Sequence, residues 1–139
     1  MPTEADVAVV RRFYAALAAG DLATAEKCFH ETAAWHVPGN SRISGSHHGW
    51  RAIRDNFLTK LRFLSGGTFR GEVLDLAVGA EYIVAIGKGA AEHNGRRLDV
   101  SVCQLIRVEN GKISAVGGHY SDPRALEEFF GRREASSED

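Results

Sequence analysis

The sequence predicts an α+β domain in which helices gather on one face of a strongly curved antiparallel sheet. Apolar residues recur at helical spacing in the first half of the chain and at every second residue in the second half, and the two regimes meet at Ser65-Gly66-Gly67. The second half is divided by Gly79-Ala80, Asn94-Gly95 and Asn110-Gly111, and Asn-Gly is the strongest short hairpin signal. Helices followed by strands exclude an alternating βαβ repeat.

Thr3 with Asp6 forms a capping-box-like start, Val7, Val10, Phe13, Tyr14 and Leu17 share a helical face, and Gly20 can close the helix, which predicts a first helix over about 4–19. Asp21 caps a short second helix that buries Leu22, Ala25, Cys28 and Phe29. Residues 33–37 read as a short strand ended by Pro38-Gly39. After Gly49, Trp50, Ile53, Phe57, Leu58 and Leu61 fall at helical spacing and predict a third helix. Four strands follow, over 69–76, 82–91, 97–108 and 112–120, as a meander of hairpins. Asp122-Pro123 then starts a short amphipathic helix with Leu126, Phe129 and Phe130 inward. Residues 1–131 read as one domain and 132–139 as a flexible polar tail.

At 139 residues the chain can bury a single core, with about two thirds of its unfolded surface removed from water. Lysine and arginine number 17 against 18 aspartates and glutamates, so no global field draws nucleic acid or an anionic membrane. No apolar run approaches the roughly 18 residues of a spanning helix. The start Met1-Pro2-Thr3-Glu4 lacks the basic and apolar regions of a secretory signal, so the expected location is the cytoplasm. Cys28 and Cys103 form no CxxC and read as reduced, buried structural thiols.

The oddest stretch runs from Trp35 to Trp50, where both tryptophans stand with His36, His47 and His48. Each indole carries roughly 150 to 250 Å² that asks to be buried. Aromatic bulk beside titratable nitrogen suits a ligand cavity, and equally a core strand with a satisfied histidine on its far face. A metal is not expected, because there is no HExxH, no His-x-His and no acidic partner at ligand spacing. Gly87-Lys88-Gly89 lacks the ending of a phosphate loop, and no cofactor is implied.

A curved sheet under helices leaves a cone with one open end. The chain resembles the family of nuclear transport factor 2 and ketosteroid isomerase, in its SnoaL-like, polyketide cyclase-like branch, whose fold is the conical cystatin-like one. The resemblance is carried by Phe13-Tyr14-Ala15-Ala16-Leu17 with Gly20-Asp21, by Trp35-His36-Val37-Pro38-Gly39 with Ser44-Gly45 and Gly49, and by Ser65-Gly66-Gly67-Thr68-Phe69. It continues through Gly95-Arg96-Arg97-Leu98-Asp99 and Asn110-Gly111-Lys112-Ile113, covering nearly the whole chain. It implies a pocket in the cone and a homodimer through the outer sheet face, and it does not imply one reaction.

Steroid isomerases of this fold use a helix-one tyrosine and a protonated aspartate to stabilise an enolate, and a second aspartate to move the proton. The matching positions here hold Phe13, Gln104 and Val37, so that mechanism is not expected. Tyr14 stands one residue along and is turned about 100° away. In the cyclases an aspartate and a histidine handle the proton; their positions fall on Gly118 and Gln104. Epoxide hydrolases of the fold bracket an arginine with carboxylates, and Asp99 with Arg97 is only a faint echo.

Strand parity predicts what lines the cone. Gln104 shares a face with Val100, Val102 and Ile106, and Val116 shares one with Gly118 and Tyr120. Trp35 and Val37 form a wall, and the helices add Phe13, Leu17, Ile53 and Phe57. Gln104, Tyr120 and the Trp35 indole are then the polar handles of a chamber suited to an apolar ligand with one or two oxygens. Gly117 and Gly118 widen the chamber or mark a bulge. His47 and His48 lie in a loop at the mouth, where one reaches the ligand or both are solvated. His36 alternates with Trp35 and Val37 and so points to the outer sheet face or an oligomer interface rather than into a site; His119 flanks Tyr120 and faces away by parity unless the strand end twists. Tyr14 is core, or reaches the chamber if its helix is rotated, and Asp122 is a helix cap or a rim carboxylate.

The function these residues suggest is a pocket for a small hydrophobic metabolite, with isomerisation, cyclisation or dehydration by general acid/base chemistry. His47 is the proton-moving candidate, and Gln104 and Tyr120 orient or polarise a carbonyl. The alternative is a non-catalytic small-molecule binder or a dimeric structural protein of the same fold.

Overall fold

The computed structural model describes residues 1–133. Helix α1 spans Glu4–Ala18, and both halves of its capping box are present: Asp6 N–H donates to Thr3 Oγ1 at 3.2 Å and Thr3 N–H to Asp6 Oδ2 at 3.0 Å. At its other end Asp21 N–H donates to the Ala16 carbonyl and Gly20 N–H to that of Leu17, the two bonds of a Schellman cap. Asp21 receives Thr24 N–H at 3.0 Å and so caps α2, Leu22–Lys27.

The six strands are β1 Phe29–Val37, β2 Gly45–His48, β3 Arg70–Val78, β4 Ile83–His93, β5 Arg96–Glu109 and β6 Lys112–Tyr120, in the order β2-β1-β6-β5-β4-β3. All neighbours are antiparallel except β1 and β6, which run parallel. The meander from β3 to β6 follows the sequence reading, with two-residue loops at Asn94-Gly95 and Asn110-Gly111. All four of these residues have φ between 52° and 79°, as a hairpin whose twist matches its strands requires.

Three local assignments are corrected. Phe29 opens β1 instead of closing α2, because the α2 cap at Cys28 turns the chain directly into the sheet beside Ile113. His47 and His48 are not in a loop: residues 45–48 form β2, paired so that Trp35 faces His47. The third helix begins as α3, Trp50–Ala52, widens into a π-helical stretch, Ile53–Leu58, and ends as α4, Thr59–Leu64. Thr59 N–H reaches back five residues to the Arg54 carbonyl, and the wider turn lets the adjacent Phe57 and Leu58 both face the core.

Helix α5, Pro123–Phe130, is capped by Asp122, whose carboxylate accepts Ala125 N–H at 3.3 Å, and buries Leu126, Phe129 and Phe130. The expected tail starts with two attached residues, since Arg132 bridges to Ser41 and Arg133 N–H donates to the Asn40 carbonyl at 2.9 Å. Residues 134–139 lie outside the described residues. Cys28 is buried as expected, but Cys103 is exposed, because it alternates with the inward-facing Gln104. No described helix is long and apolar enough to cross a membrane.

Candidate functional site

The inner sheet face and the helices enclose a core in which five aromatic rings interlock. Phe13 meets Phe29 edge-on at 4.8 Å and Trp35 at 5.6 Å between ring centres. Trp35 in turn meets Phe57 at 5.0 Å, and Phe29 meets Trp50 at 5.3 Å. Val37, Ile53 and Val116 complete this packing, so these predicted wall residues are brought together by contact with one another. Leu17 packs on the edge of the core, and Val102 stands half-buried opposite Tyr120. The indole N–H groups of Trp35 and Trp50 are buried with no hydrogen-bond partner among the described residues, an arrangement that costs roughly 1–3 kcal/mol per donor.

One polar cluster interrupts this apolar interior. The Tyr14 hydroxyl donates to Gln104 Oε1, joining α1 to β5. Gln104 is buried opposite Gly118, and Tyr120 lies two residues further along the same face of β6. Burial pushes the Tyr14 phenol well above its ordinary pKa, with a smaller push from Tyr120, and burial raises Tyr120 to about 12. Both phenols therefore stay protonated across the physiological range and act as hydrogen-bond donors.

Gly118 does not leave open space. A Cβ there would lie 3.1 Å from Tyr120 Cε1 and 3.4 Å from the His36 carbonyl, so the missing side chain is where the Tyr120 ring packs. Gly117, on the outer face, has no neighbour within 4 Å of such a Cβ.

His47 is buried on β2, stacked on Phe57 at 5.6 Å, with Nε2 donating to the Ile43 carbonyl at 3.0 Å. Burial is the main cause that lowers its pKa, so the imidazole is neutral at pH 7. A carbonyl can only accept, so Nε2 carries the proton and Nδ1 keeps its lone pair. Strands β1 and β6 separate β2 from β5, which places His47 about 14 Å along the sheet from Gln104. The structure thus unites Tyr14, Gln104 and Tyr120 and leaves His47 on another wall. His36 and His119 are exposed on the outer face, so His119 does not join the interior; its cross-strand neighbour is Cys103.

A feature missed in the sequence is a cleft of about 740 Å³ between α4, the β4–β5 hairpin and α5. Arg42, Arg62, His93 and Arg96 stand around it beside Phe63 and Phe130. They come from four separate elements and loops, so no spacing in the chain announces them.

A six-stranded curved sheet closed by α1, α3–α4 and α5 around an apolar interior defines a conical α+β domain of the cystatin-like, nuclear transport factor 2-like class. Residues 10–116 match the SnoaL-like domain, and the chain belongs to that family. An uncharacterized protein of Mycobacterium tuberculosis is 31% identical over 134 residues, covering 94% of this chain and 99% of its own. Among solved structures, Bal32a from a soil-derived mobile gene cassette is 36% identical, with a TM-score of 0.87 over 91% of this chain and 97% of its own. A protein of unknown function with a cystatin-like fold from Xanthomonas campestris is 28% identical, with a TM-score of 0.82 over 91% of this chain and 98% of its own.

Proposed function

We propose that the chain binds a small, mainly apolar molecule bearing a carbonyl or hydroxyl oxygen, and that the Gln104 amide N–H and the Tyr120 hydroxyl hold and polarise that oxygen, with Tyr14 fixing Gln104 in place. The observation that carries this reading is the cluster itself: two phenols kept protonated by burial and one buried amide, set in an otherwise apolar interior. Donors aimed at an oxygen that gains charge stabilise an enolate-like transition state, each by roughly 3–4 kcal/mol where it has been tested. Isomerisation, cyclisation and dehydration next to a carbonyl all pass through such a state. The positions that carry carboxylates in steroid isomerases are Val37 and Gln104 here, so proton transfer falls to the free Nδ1 of the neutral His47. A substrate served by both groups extends from β5 to β2.

A second reading rests on the filled interior and on apolar residues left exposed along β3 and β4, such as Leu74 and Ile86. In that reading the domain is non-catalytic and works through self-association. Native mass spectrometry of freshly purified protein separates the two. A co-purified small molecule, lost in Tyr14→Phe and Gln104→Leu, supports the binding reading. An empty protein that also fails to take up neutral aryl ketones or lactones overturns it.

A further inference from the structure

We propose that the cleft between α4, the β4–β5 hairpin and α5 binds a small amphipathic carboxylate, one anionic group carried on an aromatic or alkyl body. Three arginines line it from unrelated parts of the chain: Arg42 from the β1–β2 connection, Arg62 from α4 and Arg96 from the start of β5, with His93 beside them. Among the described residues, no aspartate or glutamate lines the cleft. The ion pairs among the described residues involve Arg54, Arg107 and Arg132, so none of the three cleft arginines is paired there. Gathered like charges repel, and an anion placed among them relieves that repulsion.

The walls select against a bare inorganic ion. Phe63 is 79% exposed at the rim, a large ring left in water beside Arg62, while Leu64, Phe129 and Phe130 supply further apolar surface. A cleft of about 740 Å³ is in the range of small-molecule sites, and guanidinium forks match a planar carboxylate in two-point contact.

Several of these side chains are held in place. Arg96 Nη1 donates to the Phe129 carbonyl at 3.4 Å. The stem of Arg42 lies on Gly131, where a Cβ would be 3.2 Å from Arg42 Cδ. The His93 ring lies on Gly66, where a Cβ would be 2.4 Å from Nδ1 and φ is +64°. Side chains fixed this way lose less entropy when a ligand arrives. The site shares no lining residue with Tyr14, Gln104 or Tyr120 and stands or falls independently of them.

Calorimetric titration of the full chain with 2-naphthoate, 2-naphthylmethanol and inorganic phosphate tests the proposal. The expected result is one-to-one binding of naphthoate, tighter than either the alcohol or phosphate by about tenfold. Arg62→Gln and Arg96→Gln, both at exposed positions, each weaken naphthoate by about fivefold or more, and Phe63→Ser weakens naphthoate without changing phosphate. Tyr14→Phe, which removes an anchor of the interior site, leaves the naphthoate titration unchanged. Equal binding of naphthoate and the alcohol, phosphate binding as tight as naphthoate, indifference to the arginine substitutions, or no heat at ligand concentrations on the order of 1 mM each overturns it.

Discussion

Tyr14 and Gln104 satisfy each other where water is scarce, and removing one partner is therefore worse than removing both. Tyr14→Phe strands Gln104 Oε1 and is expected to cost about 1–3 kcal/mol, whereas Tyr14→Phe with Gln104→Leu recovers part of that loss. Urea unfolding of the four proteins of this cycle should return a coupling of about 0.5–3 kcal/mol, and a coupling within error of zero means the bond is not made in solution. His47 offers a pH test. Its folded pKa lies below the ordinary 6.5, so the unfolded chain takes up the proton first as pH falls. Its contribution is full above pH 6.5 and is lost on acidification toward the depressed folded value. Unfolding measured between pH 8 and pH 5 should show a shallower loss for His47→Phe than for the parent, at the cost of the Ile43 hydrogen bond. The inward facing of Gln104 and Tyr120 is legible because strand parity has only two phases. The facing of Tyr14 is not legible in the same way, because a helix advances about 100° per residue and one residue decides between core and chamber.

At the scale of elements, turn chemistry was the most legible part of the chain and strand pairing at a distance the least. The Asn-Gly pairs, the Thr3 and Asp21 caps and Asp122-Pro123 each satisfy a local backbone need with a residue two or three positions away, and all stand where the pattern predicts. Strand β2 was not legible, since Gly45-Ser46-His47-His48 has little β-propensity and owes its conformation to the ladder with β1. The π-helical turn was hidden too, because Ile53, Phe57 and Leu58 also satisfy an ordinary helical face. The hairpin argument predicts a specific asymmetry. Gly95 sits at φ +77° with no neighbour near its would-be Cβ, so Gly95→Ala is penalised by backbone strain alone, about 1–2 kcal/mol. Asn94→Gly, which keeps the required backbone, should stay within about 0.5 kcal/mol of the parent. Thermal unfolding of the two variants checks this, and equal losses would refute the turn assignment.

At the scale of the molecule, the parallel pairing of β1 with β6 joins the start of the sheet to its end, across most of the chain, and no local pattern encodes that return. It matters because it makes β3 the far edge of the sheet, with only β4 beside it. Strand β3 is almost wholly exposed, and Val73, Leu74 and Val78 on it join Tyr82 and Ile86 as large apolar residues in water. An edge strand with unpaired backbone groups and exposed apolar side chains is an association surface unless charge or proline blunts it, and this one carries Arg70, Glu72 and Asp75 but no proline. The packed interior gives no reason for these residues, since they do not reach the core; a second copy of the chain covering β3 and the adjacent outer face of β4 would. The expected outcome is a dimer in sedimentation equilibrium that Leu74→Arg and Ile86→Arg convert to monomer. Both side chains are exposed, at 55% and 37%, so circular dichroism should show the fold retained. If both variants sediment like the parent, self-association does not use this face, and the exposed strip requires a different partner.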